Sequence, residues 1–123
     1  MKVILSIKPK FAKKIFEGTK KFEFRRSIFK KKGIKKIVVY ASAPISKVVG
    51  EFEIDKIIHE DVCVLWAITR LNAGITPEFF DRYFEGKEKG YAIKVKNPKR
   101  YARRYDIKEK YGIGAPQSFA YVE

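Results

Sequence analysis

In Gly18–Arg26, GTKKFEFRR, the hydrophobic period of the chain changes. Just upstream, Phe11 and Ile15 are four residues apart, as are Ala12 and Phe16, and Lys10, Lys13, Lys14 and Glu17 fill the other positions. That spacing predicts an amphipathic helix. Pro9 suits its first turn, and Gly18 suits the position just past its end. Within the stretch, Phe22 and Phe24 alternate with Lys21, Glu23 and Arg25. This is the period of a strand with one buried face. Its polar face therefore carries an acid flanked by two bases. An ion pair there would fix geometry more than it stabilises. The alternative is the floor of a polar pocket. A carboxylate accepts a hydrogen bond from the exocyclic amine of a base, and an arginine grips a phosphate with two parallel bonds.

Working outward, Val3–Ile7 reads as a short buried strand and Lys36–Ala41 as a central one. Ahead of the latter, SIFKKKGIKK is a basic loop or loose hairpin around Gly33, and Lys30–Lys36 within it is either a disordered patch or an ordered phosphate clamp. ASAPIS, at 41–46, is a turn. Lys47–Ile58 reads as a long strand, and the phase of Val49, Phe52 and Ile54 changes across Gly50, which predicts a bulge. A helix is expected over Glu60–Asn72. A second is expected to start at Pro77 behind the N-cap Thr76 and to stop at Gly86. Tyr91–Val95 alternates as a strand, and SFAYV closes the chain as a last one. The basic segment from Lys99 to Gly112 interleaves Arg100, Arg103 and Arg104 with Tyr101, Tyr105 and Tyr111. It reads equally as a surface for phosphates and unpaired bases or as a solvated helix that packs Tyr101 and Tyr105 inward. The fold class expected is α+β: a small β-barrel of about five to six strands with helices packed at its ends. The 123 residues suit a single domain over 1–123.

Composition narrows the function. Lys and Arg number 28 against 14 Asp and Glu, a formal net charge of +14. Such a field draws polyanions, nucleic acid first and an anionic membrane surface second. A heat-adapted proteome also enriches Lys, but it raises Glu alongside. No apolar run approaches the length that spans a bilayer. The opening MKVILSIKPKF is too short and too soon broken by Lys8 and Pro9 for a signal peptide, so a cytoplasmic location is expected. The single His59 leaves little material for a histidine metal site or a Ser-His triad. No glycine-rich phosphate loop is present, so neither metal nor cofactor is expected. Cys63, between Val62 and Val64, reads as a small core residue rather than a nucleophile.

GTKKFEFRR resembles the G-x-K-x-x-E-x-R signature of ASCH domains, with Gly18, Lys20, Glu23 and Arg25 on its four positions. LSIKPKFAKKIFEG is similar to that family's first strand and helix, and YASAPISKVVGEFEI to the strand-turn-strand pair beside its cleft. GITPEFFDRYFEG and the terminal PQSF resemble one small archaeal and bacterial branch, often described as regulators. The resemblance implies a PUA-like barrel, related in fold to EVE and YTH domains, with a cleft that holds a nucleotide or an RNA strand. It implies that Lys20, Glu23 and Arg25 line the cleft. Lys21 and Arg26 would assist with phosphates or point away, and Ser42, Gln117 and Ser118 would be further polar contacts. Some relatives hydrolyse N4-acetylcytidine with a lysine, a threonine and a glutamate. Lys20 matches the lysine, Glu23 stands at the threonine position, and Leu71–Thr76 offers no counterpart for the glutamate.

Three function classes follow. The leading one is an RNA-binding module, of regulatory use, that holds single-stranded RNA or an exposed nucleotide, a modified one included, in a basic cleft. Its nucleic-acid contacts would be Lys20, Lys21, Glu23, Arg25, Arg26, Ser42, Arg100, Arg104, Gln117 and Ser118. The second is a nucleoside- or RNA-processing enzyme with Lys20 and Glu23 as its acid/base pair. The third is a module that meets an acidic protein partner, which the sequence does not identify.

Overall fold

In the computed structural model, which describes all residues Met1–Glu123, the helix-to-strand switch falls where the sequence places it. Helix α1 (Pro9–Glu17) ends at Gly18, whose φ of +87° is the left-handed cap and whose N–H closes on Ile15 and Lys14 carbonyls. Strand β2 (Phe22–Arg25) follows. The remaining elements are β1 (Lys2–Ile7), β3 (Lys36–Ala41), β4 (Lys47–Asp61), α2 (Val62–Thr69) with a 3-10 turn over Arg70–Asn72, α3 (Pro77–Tyr83), β5 (Lys89–Tyr105), α4 (Ile107–Tyr111) and β6 (Phe119–Val122). The strands form one six-stranded sheet in the order β2-β5-β4-β3-β1-β6. β1 and β3 run parallel, and the other pairs are antiparallel. This is the expected α+β class, a strongly curled sheet with helices at its ends. No helix is long and apolar enough to cross a membrane.

The period-two alternation sorts the core. Val3, Leu5 and Ile7 of β1 and Ile37, Val39 and Ala41 of β3 pack with Ala12 and Ile15 of α1. Ile4, Val38 and Tyr40 point the other way and meet Val48, Ile107 and Val122. A third cluster joins Phe22 and Phe24 of β2 to Leu65 of α2, Phe80 of α3 and Phe84 just past the end of α3. The bulge near Gly50 is present: Val39 pairs with Gly50 and Tyr40 with Val48, so Val49 is the extra residue. A Cβ at Gly50 would lie 2.5 Å from both the Phe16 ring and the Lys99 carbonyl oxygen, so α1 seats directly on the bend.

Several expectations are corrected. The helix expected from Glu60 starts at Val62, because Glu60 and Asp61 still pair with Gly90 and Lys89 in the β4–β5 ladder. The segment through Arg100 and Arg104 is not a helix but the end of β5, whose pairing with β4 is broken between Arg100 and Tyr105. Cys63 is exposed rather than core. The loop after β2 is anchored. Phe29 is buried, and the Lys30 and Lys31 N–H groups donate to the Tyr121 hydroxyl.

Candidate functional site at the seam of the sheet

Strands β2 and β6 are the two ends of the strand order, and the curl of the sheet brings them to face each other. Arg25, the last residue of β2, spans the gap. Its Nη2 donates to the Ser118 side-chain oxygen at 2.6 Å and to the Ser118 carbonyl at 3.3 Å, just before β6. Its Nη1 donates to the Ser6 carbonyl of β1 at 3.4 Å and to Glu23 Oε2 at 3.2 Å. The Glu23 and Arg25 side chains are 8% and 10% exposed. Both faces of β2 are therefore buried, one under the helices and one in the seam. The sequence pattern predicts burial of one face alone.

Beside this pair opens a cleft of about 510 Å³. Lys20 forms part of its wall and is 2% exposed. Its ammonium donates to the Ala73 carbonyl at 2.8 Å and lies 4.8 Å from the Phe24 ring centroid and 5.3 Å from that of Phe11. Burial pulls its pKa from 10.5 down to about 8. Nearby Glu23 opposes that fall, and Lys14 adds to it. Lys14 in turn donates to the Gly74 carbonyl at 3.1 Å, so the two lysines hold adjacent carbonyls of one turn. Gly74 has φ +70°, and a Cβ there would fall 2.5 Å from Lys20 Cβ. Only a glycine lets this turn close over the lysine.

The mouth is aromatic and basic. Phe11 and Phe79 meet edge to face with centroids 5.1 Å apart, and the Lys8 and Lys10 ammoniums lie 5.3 and 5.8 Å from the Phe79 ring. Tyr83 donates its hydroxyl to the Phe24 carbonyl at 3.1 Å, and burial raises its pKa.

Of the residues expected to share one site, the structure brings together Lys20, Glu23, Arg25, Arg26, Gln117 and Ser118. Arg26 sits at the rim, where its Nη1 caps the end of α3 by donating to the Tyr83 and Glu85 carbonyls at 2.8 and 2.9 Å. Lys21 and Ser42 are not in the cleft. Lys21 is exposed, with its backbone tied to Asn72 and Val95, and Ser42 serves the turn after β3, where its carbonyl accepts from Ile45 and Ser46. Arg100 and Arg104 line a different groove. The sequence reading missed Ser6, Phe11, Phe79 and Tyr83 as cleft residues and Gly74 as the cradle of Lys20. Their spacing reads as core packing, and Gly74 reads as a helix stop.

No family model matches the chain. An ASCH domain-containing ribonuclease from Zymomonas mobilis is 32% identical over 122 residues, which cover 97% of this chain and 82% of that protein. The crystal structure of the ASCH protein from Zymomonas mobilis superposes with a TM-score of 0.90 at 30% identity, over 99% of this chain and 87% of that one. Large ribosomal subunit protein uL22 of Ureaplasma parvum is 26% identical over 121 residues, and the chain spans only 39% of its length. The N-terminal domain of McrB from Staphylothermus marinus shares the fold, with a TM-score of 0.52 at 13% identity, over 88% of this chain and 77% of that one. With Lys20, Glu23 and Arg25 gathered at the seam cleft, and a relative this similar over nearly the whole of this chain, the chain belongs to the ASCH domain family.

Proposed function

We propose that residues 1–123 form one RNA-binding domain that holds single-stranded RNA in the seam cleft and cleaves it. The observation that carries this reading is Lys20, a buried lysine with its pKa drawn down to about 8 beside an open cleft. A surface lysine stays charged at neutral pH and accepts no proton. At pH 7 about a tenth of Lys20 is neutral and able to act as a base. The cleft falls within the range of roughly 300–1,000 Å³ usual for small-ligand pockets, enough for one nucleotide. The 32%-identical relative bears the name of a ribonuclease, which supports the same reading.

The chemistry follows from the placement. Neutral Lys20 takes the proton of a ribose 2′-hydroxyl. The 2′-oxygen attacks the adjacent phosphorus, and the bond to the 5′-oxygen breaks. The lysinium returns its proton to that departing oxygen. The products are a 2′,3′-cyclic phosphate and a free 5′-hydroxyl. Lys8 and Arg25 offset charge on the phosphate. Glu23 holds Arg25 in place and is a positioning residue. The Phe11–Phe79 pair offers a face for an unpaired base.

A second reading, binding without turnover, is favoured by one observation: Lys20 and Glu23 already have partners in Ala73 and Arg25. Gel analysis of an end-labelled single-stranded RNA pool separates the two. Fragments ending in cyclic phosphate, lost in Lys20→Met while RNA binding persists, support the ribonuclease. Intact RNA bound as tightly by wild type would leave a binding module. RNA neither bound nor cut would remove both.

A further inference from the structure

The chain has a second groove, on the other side of α1, that the cleavage chemistry does not use. It encloses about 460 Å³. Its floor is apolar, formed by Phe16, Ala41, Ile45 and Val49, and Lys10 and Lys13 of α1 face Arg100, Arg103 and Arg104 of β5 across it. No carboxylate lines it. Lys13 approaches Glu17 at 4.0 Å on the exposed helix surface, and the three arginines have no acid within that distance. The groove is held in shape from both sides. The Phe16 ring abuts Gly50, and Tyr101 donates to Glu51 at 2.8 Å, pinning the irregular end of β5 to β4. The Arg100 guanidinium lies 5.4 Å from the Phe16 ring centroid.

Helix α1 contributes to the walls of both this groove and the seam cleft. Lys8 and Phe11 line one, and Lys13 and Phe16 line the other. Lys10 stands on the ridge between them. It lines the groove, yet its ammonium is 5.1 Å from the Phe11 ring. A helix with its side chains is about 10 Å across, a span that a few nucleotides cover. We infer that the groove is a second RNA subsite, which holds the phosphates flanking the nucleotide in the seam cleft as the strand crosses α1 at Lys10. This rests on the RNA reading above. The surplus of unpaired guanidiniums on an apolar floor suits phosphates with bases lying against the floor.

The test is fluorescence anisotropy with labelled single-stranded RNAs of about three and about 12 nucleotides, with 2′-fluoro riboses that the cleavage above cannot cut, over a salt series. The proteins are wild type, the Arg100→Glu/Arg104→Glu variant and Lys13→Glu on the opposite wall. All three positions are exposed. The longer RNA is expected to bind wild type more tightly and with the steeper salt dependence. Each phosphate contact contributes about 0.7 to that slope for a single strand, so losing two arginine contacts lowers it by about 1.4. Lys13→Glu should lower it by about half as much. The short RNA should bind all three proteins alike. An unchanged slope and affinity for the longer RNA in both variants would overturn the subsite. Such a groove capturing a polyglutamate peptide instead would assign it to an acidic protein and overturn it too. Arginine-dependent binding of the longer RNA, with no binding of the short one, would leave the groove standing and remove the seam cleft. No binding of either RNA to wild type would remove both.

Discussion

Replacing Lys20 by Met should stabilise the fold at neutral pH, and the gain should vanish in alkali. The folded protein holds this ammonium under 2% exposure, with its pKa near 8 instead of 10.5. At about 1.4 kcal/mol per pH unit of separation, keeping the charge costs roughly 3 kcal/mol. Met has similar length and sets a thioether against the Phe11 and Phe24 rings. It gives up the bond to the Ala73 carbonyl and the contact of the cation with those rings, together about 2 kcal/mol. The net gain at pH 7 is then about 1 kcal/mol, or about 4 °C in Tm for a chain of this size. The sign follows from proton linkage. Below pH 8 both folded and unfolded Lys20 are protonated, and the penalty is present in full. Between pH 8 and 10.5 the folded state releases its proton first, so wild-type stability rises with pH on account of this group. The variant has no such rise. Urea unfolding of both proteins at about pH 7 and about pH 10 reads the difference directly, because every other titrating group cancels between them. The advantage of Met should shrink by 2 to 3 kcal/mol, at roughly 1.4 kcal/mol per pH unit, and change sign. A difference that stays constant with pH would refute the argument that Lys20 is held charged at a cost.

Arg25→Ala should destabilise by about 3 kcal/mol or more, because it strands the buried Glu23 carboxylate and unties the seam from Ser6 and Ser118. Thermal unfolding followed by circular dichroism should show the loss, and a Tm within about 2 °C of wild type would contradict it. Gly74→Ala should cost about 2 kcal/mol, from φ of +70° and the 2.5 Å approach to Lys20 Cβ, and should lower RNA cleavage more than RNA binding. Tyr101→Phe should cost about 1 kcal/mol by removing the bond to Glu51, with binding of the shortest RNAs unchanged. Equal stability of that variant and wild type would mean that β5 is not held there.

The fold was legible where one residue or one period decides a conformation. Gly18 marks the end of α1, the alternation around Phe22 and Phe24 marks β2, and the phase change across Gly50 marks the bulge at Val49. It was not legible where two structures share a spacing. Tyr101 and Tyr105 lie on one face of either a helix or a strand, and only pairing with β4 makes this segment a strand. The burial of Glu23 and Arg25 comes from the meeting of two sheet edges, which no local pattern encodes. In the site, the signature positions Lys20, Glu23 and Arg25 and the later Gln117 and Ser118 converge as the resemblance implies. Lys21 falls outside although it shares the parity of Glu23 and Arg25, because it precedes β2 and its backbone is tied to Asn72 and Val95, and Ser42 because its turn closes on itself. The carbonyls that hold Lys20 and Lys14 belong to the backbone of Ala73 and Gly74, and main-chain acceptors leave no mark in a sequence.

The pH dependence of single-turnover RNA cleavage tests most directly whether Lys20 is the base in an RNA cleft. The rate of cutting of a labelled single-stranded RNA would be followed from about pH 6 to about pH 9.5. The rate should climb about tenfold per pH unit at first and level off around pH 8, with cyclic phosphate ends among the products and no cutting by Lys20→Met. A flat profile, or cleavage that survives in Lys20→Met, would contradict that role.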